Sequence, residues 1–320
     1  MKVLNMAPLN REYLKRIEDN CPEFEFITME SHNDTQDMIN SVDIVIGNPS
    51  TKMNLKHLKA ILLASAGSDQ YVQDSILNPN TILTNASGTY GKAIAEHIIG
   101  MILTLNKNFI GYIKNQNNHQ WQMIHGGKEI YHSTVVIAGL GDLGYETAKR
   151  LKAFDCYIIG IKRRKCQPLK YVDEIVTTDH IHEVLPKADY LILTLPQNQS
   201  TYHFMNEKRL RLMKKDSVLI NVGRGSAIDT IALKKVLDDG YFYGVGLDVV
   251  ETEPLDKNDT LWNYSNVLIT PHISGGYEWR SCNEYFVNLT IRNLHHFLNG
   301  EGLENIVDKE TGYRKNVVLK

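Results

Sequence analysis

The string Gly139-Leu140-Gly141-Asp142-Leu143-Gly144 constrains this chain more than any other, because of what flanks it. It directly follows Thr134-Val135-Val136-Ile137-Ala138, a run with the composition of a buried strand, and it opens a helical segment from Leu143 to Phe154. In isolation G-x-G-x-x-G is a common string. Between a strand and a helix it is a dinucleotide fingerprint. Gly139 makes the tight turn, Gly141 lets backbone approach a pyrophosphate, and Gly144 lets helix and strand pack closely. The open N–H groups and positive dipole end of the helix then suit phosphate.

That turn belongs to a longer alternation. STVVIAG, CYIIGI, YLILTLP, SVLINVG, YGVGLDVV and NVLITPHI are six strand-like runs separated by helices or loops. This pattern predicts a doubly wound, parallel-sheet Rossmann domain. Upstream, VLNM, FEFIT, VDIVIG, LKAILLAS and TILTN alternate with helical segments in a second α/β series, read as a smaller flavodoxin-like substrate domain. At 320 residues the chain suits two domains. Helices over 92–105 and 278–298 are expected to be the crossings. The dinucleotide domain, residues 99–290, would then be inserted between residues 1–98 and a return at 291–320 of the substrate domain. A polar stretch, Asn106 to Lys128, separates the two series. In the last helix Trp279, Cys282, Phe286 and Leu289 keep helical spacing, so Trp279 is expected to pack in the core, although it and Tyr277 also lie just beyond His272.

Composition narrows the classes. Charged residues are 22% and apolar residues 42%, the balance of a soluble globular protein, and a net charge of −2 provides no field for nucleic acid or anionic membrane. The strongly apolar stretch Ile98 to Leu105 is too short to span a bilayer. Four scattered cysteines without a C-x-x-C pair fit a reducing cytoplasm and no zinc site. The histidine pairs His180/His182 and His295/His296 lack a second ligand pair and read as surface or helix residues rather than metal ligands.

Three strings near the C-terminal end, NVGRGSAID, LDVVETEP and TPHISGG, place Arg224, Glu253 and His272 after successive apolar runs. Arginine grips a carboxylate with its planar fork of donors. Histidine transfers a proton near neutral pH, and a glutamate beside it holds the imidazole in place. The end of CYIIGI carries a further signal. An NAD site expects an acidic residue there, about 20 residues past the glycines. Lys162-Arg163-Arg164-Lys165 stand there instead, a cluster suited to the 2′-phosphate of NADP(H). NADP(H) is therefore expected over NAD(H).

With these motifs in hand the chain resembles the D-isomer-specific 2-hydroxyacid dehydrogenases nearly end to end. The resemblance runs through SAGSDQY (65–71), NASGTYGKAIAEH (85–97), GLGDLG, LPQNQST (195–201), NVGRGSAID, LDVVETEPL, TPHISGG and ENIVDKETGY (304–313). It implies that Arg224 pairs with a substrate carboxylate and polarises the 2-keto oxygen, that His272 protonates that oxygen, and that Glu253 holds His272. It implies carboxylate binding by backbone N–H groups of Ala66, Gly67 and Ser68. It further implies cofactor contacts from Asp142 and Leu143 to the pyrophosphate, from Asp248 to the nicotinamide carboxamide, and from Leu195, Pro196, Val222 and Gly223 along the groove. A small 2-ketoacid is the implied substrate, glyoxylate or hydroxypyruvate first, with branched 2-ketoacids or 3-phosphoglycerate as alternatives. A dinucleotide-sensing binding protein of the corepressor type is the alternative of another class. The family implies a homodimer formed near residues 98–130. Two departures stand out: Lys162 replaces the acidic adenosine residue, and Thr194 stands where many members have histidine. The short stretch after the return leaves no room for a regulatory domain, against the longer, feedback-regulated phosphoglycerate dehydrogenases.

Overall fold

Five short parallel strands, β1 (Lys2–Asn5), β2 (Glu25–Thr28), β3 (Ile44–Ile46), β4 (Ala60–Leu62) and β5 (Ile82–Thr84), pair in the order β2-β1-β3-β4-β5 in the computed structural model. The structure describes residues 1–28, 36–73, 76–310 and 314–315. Residues 311–313, the end of the ENIVDKETGY motif, lie outside the described residues. The order is that of the flavodoxin-like sheet. Runs such as Ile44-Val45-Ile46 have no polar alternation because both of their faces are covered, and all three residues are fully buried. The helix Arg11–Asn20 is capped by Asn10, whose side chain accepts the Tyr13 N–H, and it buries Leu14 and Ile17. It meets the long helix Arg280–Leu298, where Arg16 bonds Glu284 and Asn288, each at 2.6 Å. The returning chain then closes on the β5 edge: Val307 N–H donates to the Leu83 carbonyl at 2.8 Å, and Thr84 bridges Ile306.

The second sheet has seven parallel strands: β6 (Thr134–Ala138), β7 (Tyr157–Lys162), β8 (Glu174–Thr177), β9 (Tyr190–Leu193), β10 (Val218–Asn221), β11 (Gly244–Leu247) and β12 (Val267–Ile269). Their order is β12-β11-β10-β9-β6-β7-β8, so the strand order reverses between β6 and β9, the doubly wound arrangement. The middle strands are almost wholly buried, and each such Val, Ile or Leu contributes about 1.5–3 kcal/mol of burial. Six of these strands match the apolar runs of the sequence. The seventh, β8, lies at the sheet edge and is only half-buried, so EIVT carries too few apolar residues to stand out.

The chain divides into two units, Met1–Tyr90 with Gly276–Lys320, and Gly91–Gly275. The boundaries therefore fall before the two long helices rather than at 98/99 and 290/291. The reason is packing. The helix Gly91–Asn106 lies against the helix Asp142–Leu151 and strands β10 and β11, whereas Arg280–Leu298 lies against Arg11–Asn20. Each helix thus belongs whole to one unit. The stretch read as a polar separator contains a helix, Phe109–Asn117, without a buried residue. Trp279 is also not in the core: it precedes its helix and is 47% exposed, while Cys282, Phe286 and Leu289 carry the buried stripe. Among the described residues, no helix is long and apolar enough to cross a membrane.

Candidate active site

The glycine turn has the geometry its sequence demands. Gly139 sits at φ +102°, where a side chain is strained, and a Cβ on Gly144 would stand 2.0 Å from the Gly139 carbonyl oxygen. A Cβ on Gly141 would meet nothing within 4 Å, so open space lies over the middle glycine. Gly141 precedes the helix Asp142–Leu151, whose first N–H groups have no partner within the helix. Thr194, which replaces the more usual histidine, donates its hydroxyl to the Gly139 carbonyl at 2.6 Å. It thereby ties the end of β9 to the turn after β6, at the point where the strand order reverses.

An aspartate beside a phosphate site would repel its ligand. Asp142 avoids this by turning its carboxylate to the N-terminus of another helix, where Oδ2 accepts the Gly91 N–H at 2.8 Å. Its backbone N–H, with that of Leu143, lies in the first turn of the helix that follows Gly141. Lys162 ends β7, Arg163 and Arg164 follow it as exposed residues, and residues 162–172 of the sequence include no Asp or Glu. Leu195 and Val222 are buried at the ends of β9 and β10, Pro196 is exposed, and Gly223 packs against the Leu195 backbone. These residues fit a dinucleotide, with room over Gly141.

Arg224, Glu253 and His272 follow strands β10, β11 and β12, which are neighbours in the same sheet. After β10, the fully buried Asn221 donates to the Arg224 carbonyl at 2.9 Å and accepts the Gly223 N–H at 3.1 Å, which shapes the turn that presents Arg224. Arg224 Nη1 donates to the Gly223 carbonyl at 2.8 Å. After β11, Glu253 Oε1 accepts the Val250 N–H at 3.1 Å. Its Oε2 lies 2.7 Å from His272 Nδ1, so this contact engages one of the two ring nitrogens. The His272 side chain is 51% exposed. So exposed a pair adds little stability, at most about 1 kcal/mol, and its value is orientation. His272 also has φ +54°, an uncommon conformation for a non-glycine residue, held by its N–H to the Asp248 carbonyl at 2.8 Å.

Asp248, 1% exposed, is turned into this loop. Oδ1 accepts the Thr270 hydroxyl at 2.6 Å and the Ile273 N–H at 3.0 Å, and Oδ2 accepts the Ser274 N–H at 3.1 Å. His97, from the helix Gly91–Asn106, reaches the Thr270 hydroxyl at 3.1 Å. Sequence reasoning missed His97, Thr270 and a second pair, His203 with Glu251 at 2.6 Å. Burial alone would raise the Glu251 carboxyl, but hydrogen bonds from His203 and Thr230 outweigh it and hold the group below the usual range. No local pattern marks these residues, since each partner lies far away in sequence.

In the other unit, residues 64–68 form a loop whose carbonyls are all engaged. Ser65 C=O accepts from Ala86 N–H, Ala66 C=O from Asn85 Nδ2, Gly67 C=O from Ser65 Oγ at 2.6 Å, and Ser68 C=O from Tyr71 N–H. In a trans peptide the N–H points opposite its carbonyl, so pinning the carbonyls sets the direction of the Ala66, Gly67 and Ser68 N–H groups. Successive N–H groups held this way suit an anion. No G-x-S-x-G elbow surrounds Ser65 or Ser68 to make either a nucleophile.

Residues 99–274 match the family model of the D-isomer specific 2-hydroxyacid dehydrogenase NAD binding domain. The chain belongs to the D-isomer specific 2-hydroxyacid dehydrogenases. It is an NAD(P)-dependent oxidoreductase of 2-ketoacids and 2-hydroxyacids. A glyoxylate reductase from Thermofilum pendens is 33% identical over 79% of this chain and 76% of its own length. A D-3-phosphoglycerate dehydrogenase from Methanocaldococcus jannaschii is 27% identical over 96% of this chain but only 59% of its own. Among solved structures, a family member from Aeromonas salmonicida superposes with a TM-score of 0.87 at 26% identity, covering 96% of this chain and 99% of that one. An NADPH-dependent glyoxylate/hydroxypyruvate reductase from Sinorhizobium meliloti, at 24% identity and a TM-score of 0.80, shares the fold over 98% of this chain and 99% of its own.

Proposed function

We propose that this enzyme reduces a small 2-ketoacid, glyoxylate or hydroxypyruvate, to the corresponding 2-hydroxyacid, D-configured where that carbon is chiral, and prefers NADPH to NADH. The observation that carries the reading is the His272–Glu253 pair, 2.7 Å apart and accessible, in a loop of the sheet whose β6 carries the glycine turn. Bound NADPH supplies the hydride. Gly139, Gly141, Gly144 and the N–H groups of Asp142 and Leu143 would hold its pyrophosphate, Lys162, Arg163 and Arg164 its 2′-phosphate, and Leu195, Pro196, Val222, Gly223 and Asp248 the groove side.

Arg224 pairs with the substrate carboxylate and draws electron density from the 2-keto oxygen. His272 Nε2 gives its proton to that oxygen as the carbonyl carbon is reduced, and takes it back in the oxidative direction. Glu253 holds the imidazole by Nδ1. The N–H groups of Ala66, Gly67 and Ser68 bind the carboxylate. The preference for NADPH is supported by the cations that end β7 and the lack of an acidic residue there. The substrate class is supported by relatives named glyoxylate reductase. We take the enzyme to be a cytoplasmic homodimer paired through residues 98–130, where Phe109, Ile113, Trp121 and Met123 are exposed apolar side chains.

The test is a panel of glyoxylate, hydroxypyruvate and branched 2-ketoacids, each assayed with NADPH and NADH. The highest kcat/KM is expected for glyoxylate or hydroxypyruvate with NADPH, and His272→Gln should abolish it. A clear NADH preference would refute the 2′-phosphate assignment, and unchanged turnover in His272→Gln would refute the proton donor.

A further inference from the structure

Two tyrosine hydroxyls converge on one backbone carbonyl, Ala64 C=O, immediately before the loop 65–68. Tyr277 Oη donates to it at 2.6 Å, and Tyr90 Oη donates to the same oxygen. The rings are fixed edge-to-face: Tyr90 against Tyr277 with centroids 6.0 Å apart, and Tyr277 against Phe286 at 5.3 Å. Tyr90 is buried, and burial pushes both phenols well above their ordinary range, so both remain proton donors at any physiological pH. One tyrosine would satisfy this carbonyl. Two, from sequence positions far apart, hold it from two directions and limit how its peptide plane can rotate.

The position of the pair gives it meaning. Tyr90 is the last residue of the first stretch of its unit, and Tyr277 stands just after Gly276, where the second stretch begins. Both exits of the chain from this unit are therefore bonded to the peptide that leads into Ser65, Ala66, Gly67 and Ser68. Beyond Ala64, the carbonyls of that loop are held by Ala86 N–H, Asn85 Nδ2, Ser65 Oγ and Tyr71 N–H. Rotation of the Ala64 peptide would change the direction of the N–H groups that follow it.

We propose that Tyr90 and Tyr277 are positioning residues that set the affinity for the 2-ketoacid by fixing the carboxylate-binding loop. The inference rests on the carboxylate role given above to Ala66, Gly67 and Ser68. The experiment uses the full chain with Tyr90→Phe, Tyr277→Phe and the double variant, with melting temperatures to confirm folding. Steady-state kinetics would be run with glyoxylate and NADPH, with oxamate as a competing carboxylate. Each single change should raise the glyoxylate KM and the oxamate Ki about fivefold, the scale of one net hydrogen bond, and the double variant should raise them further. The NADPH KM and the kcat at saturating glyoxylate should stay at their original values, a split that general loosening of the fold would not produce. If the double variant does not fold, the two single variants decide. An unmoved glyoxylate KM, or an equal rise in the NADPH KM, would overturn the positioning role while the ketoacid reading stands. No ketoacid turnover by the unsubstituted chain would remove both.

Discussion

His272 Nδ1 and Glu253 Oε2 lie 2.7 Å apart on loops that leave neighbouring strands, and the second oxygen of the same carboxylate is held by the Val250 N–H. The carboxylate is thus fixed by its own loop before it fixes the imidazole. One ring nitrogen is committed to Glu253, and the other, Nε2, is the one proposed above to exchange the proton.

From this pair follows a ranking of variants. His272→Gln should lower kcat for ketoacid reduction by about 10²–10⁴-fold, the usual contribution of a positioned proton donor. Glu253→Gln keeps the shape but removes the charge, and should lower kcat by less. Stopped-flow or steady-state NADPH oxidation measures both. A Glu253→Gln loss larger than that of His272→Gln would mean that the carboxylate, not the imidazole, handles the proton.

The glycines at 141 and 144 should separate folding from cofactor binding. A methyl on Gly144 meets backbone 2.0 Å away, so Gly144→Ala should destabilise the protein by about 1–3 kcal/mol, read from urea unfolding. A methyl on Gly141 meets nothing in the protein, so Gly141→Ala should unfold at the original midpoint. Its dinucleotide Kd should nevertheless weaken at least about tenfold, by displacement from the space above it. An unchanged Kd would show that the pyrophosphate does not approach this glycine.

Acid stability should report the His203–Glu251 contact. The Glu251 carboxyl is held below the usual range in the folded protein, against a burial effect that would raise it. A depressed carboxyl stabilises the fold above its unfolded value of about 4.3 and loses that contribution as pH falls through the folded value. Glu251→Gln should therefore destabilise the protein by about 1 kcal/mol at pH 7. The difference from the unsubstituted chain should shrink progressively below about pH 4. Chemical denaturation at several pH values checks this, and a difference that grows in acid would contradict the sign.

The helix Phe109–Asn117 and the segment after it predict an oligomer. Phe109 is 50% exposed, Ile113 58% and Met123 70%, while Trp121 is fully exposed, an unusual grouping on a protein that works alone. Light scattering should give twice the mass of one chain. Ile113→Glu should shift it toward one, with the melting transition lowered. A monomer in the unsubstituted protein at micromolar concentration would remove the dimer from the reading.

The sequence alone determined the doubly wound sheet, the glycine turn, and the placement of Arg224, Glu253 and His272 after successive strands. These depend on local regularities: apolar runs of strand length, helical spacing, and short motifs at strand ends, each complete within a few residues. Only the tertiary structure decided what the remaining polar residues do. Asp142 faces Gly91, Asp248 is turned into the His272 loop, His97 bonds Thr270, and Tyr90 and Tyr277 share the Ala64 carbonyl. Hydrogen bonds are short and directional, and their partners here stand as much as 213 residues apart. Periodicity cannot encode such a meeting, because it arises only when the sheets bring the strand ends together. The same holds for Trp279, whose helical spacing promised a core position that the start of its helix at Arg280 leaves facing solvent.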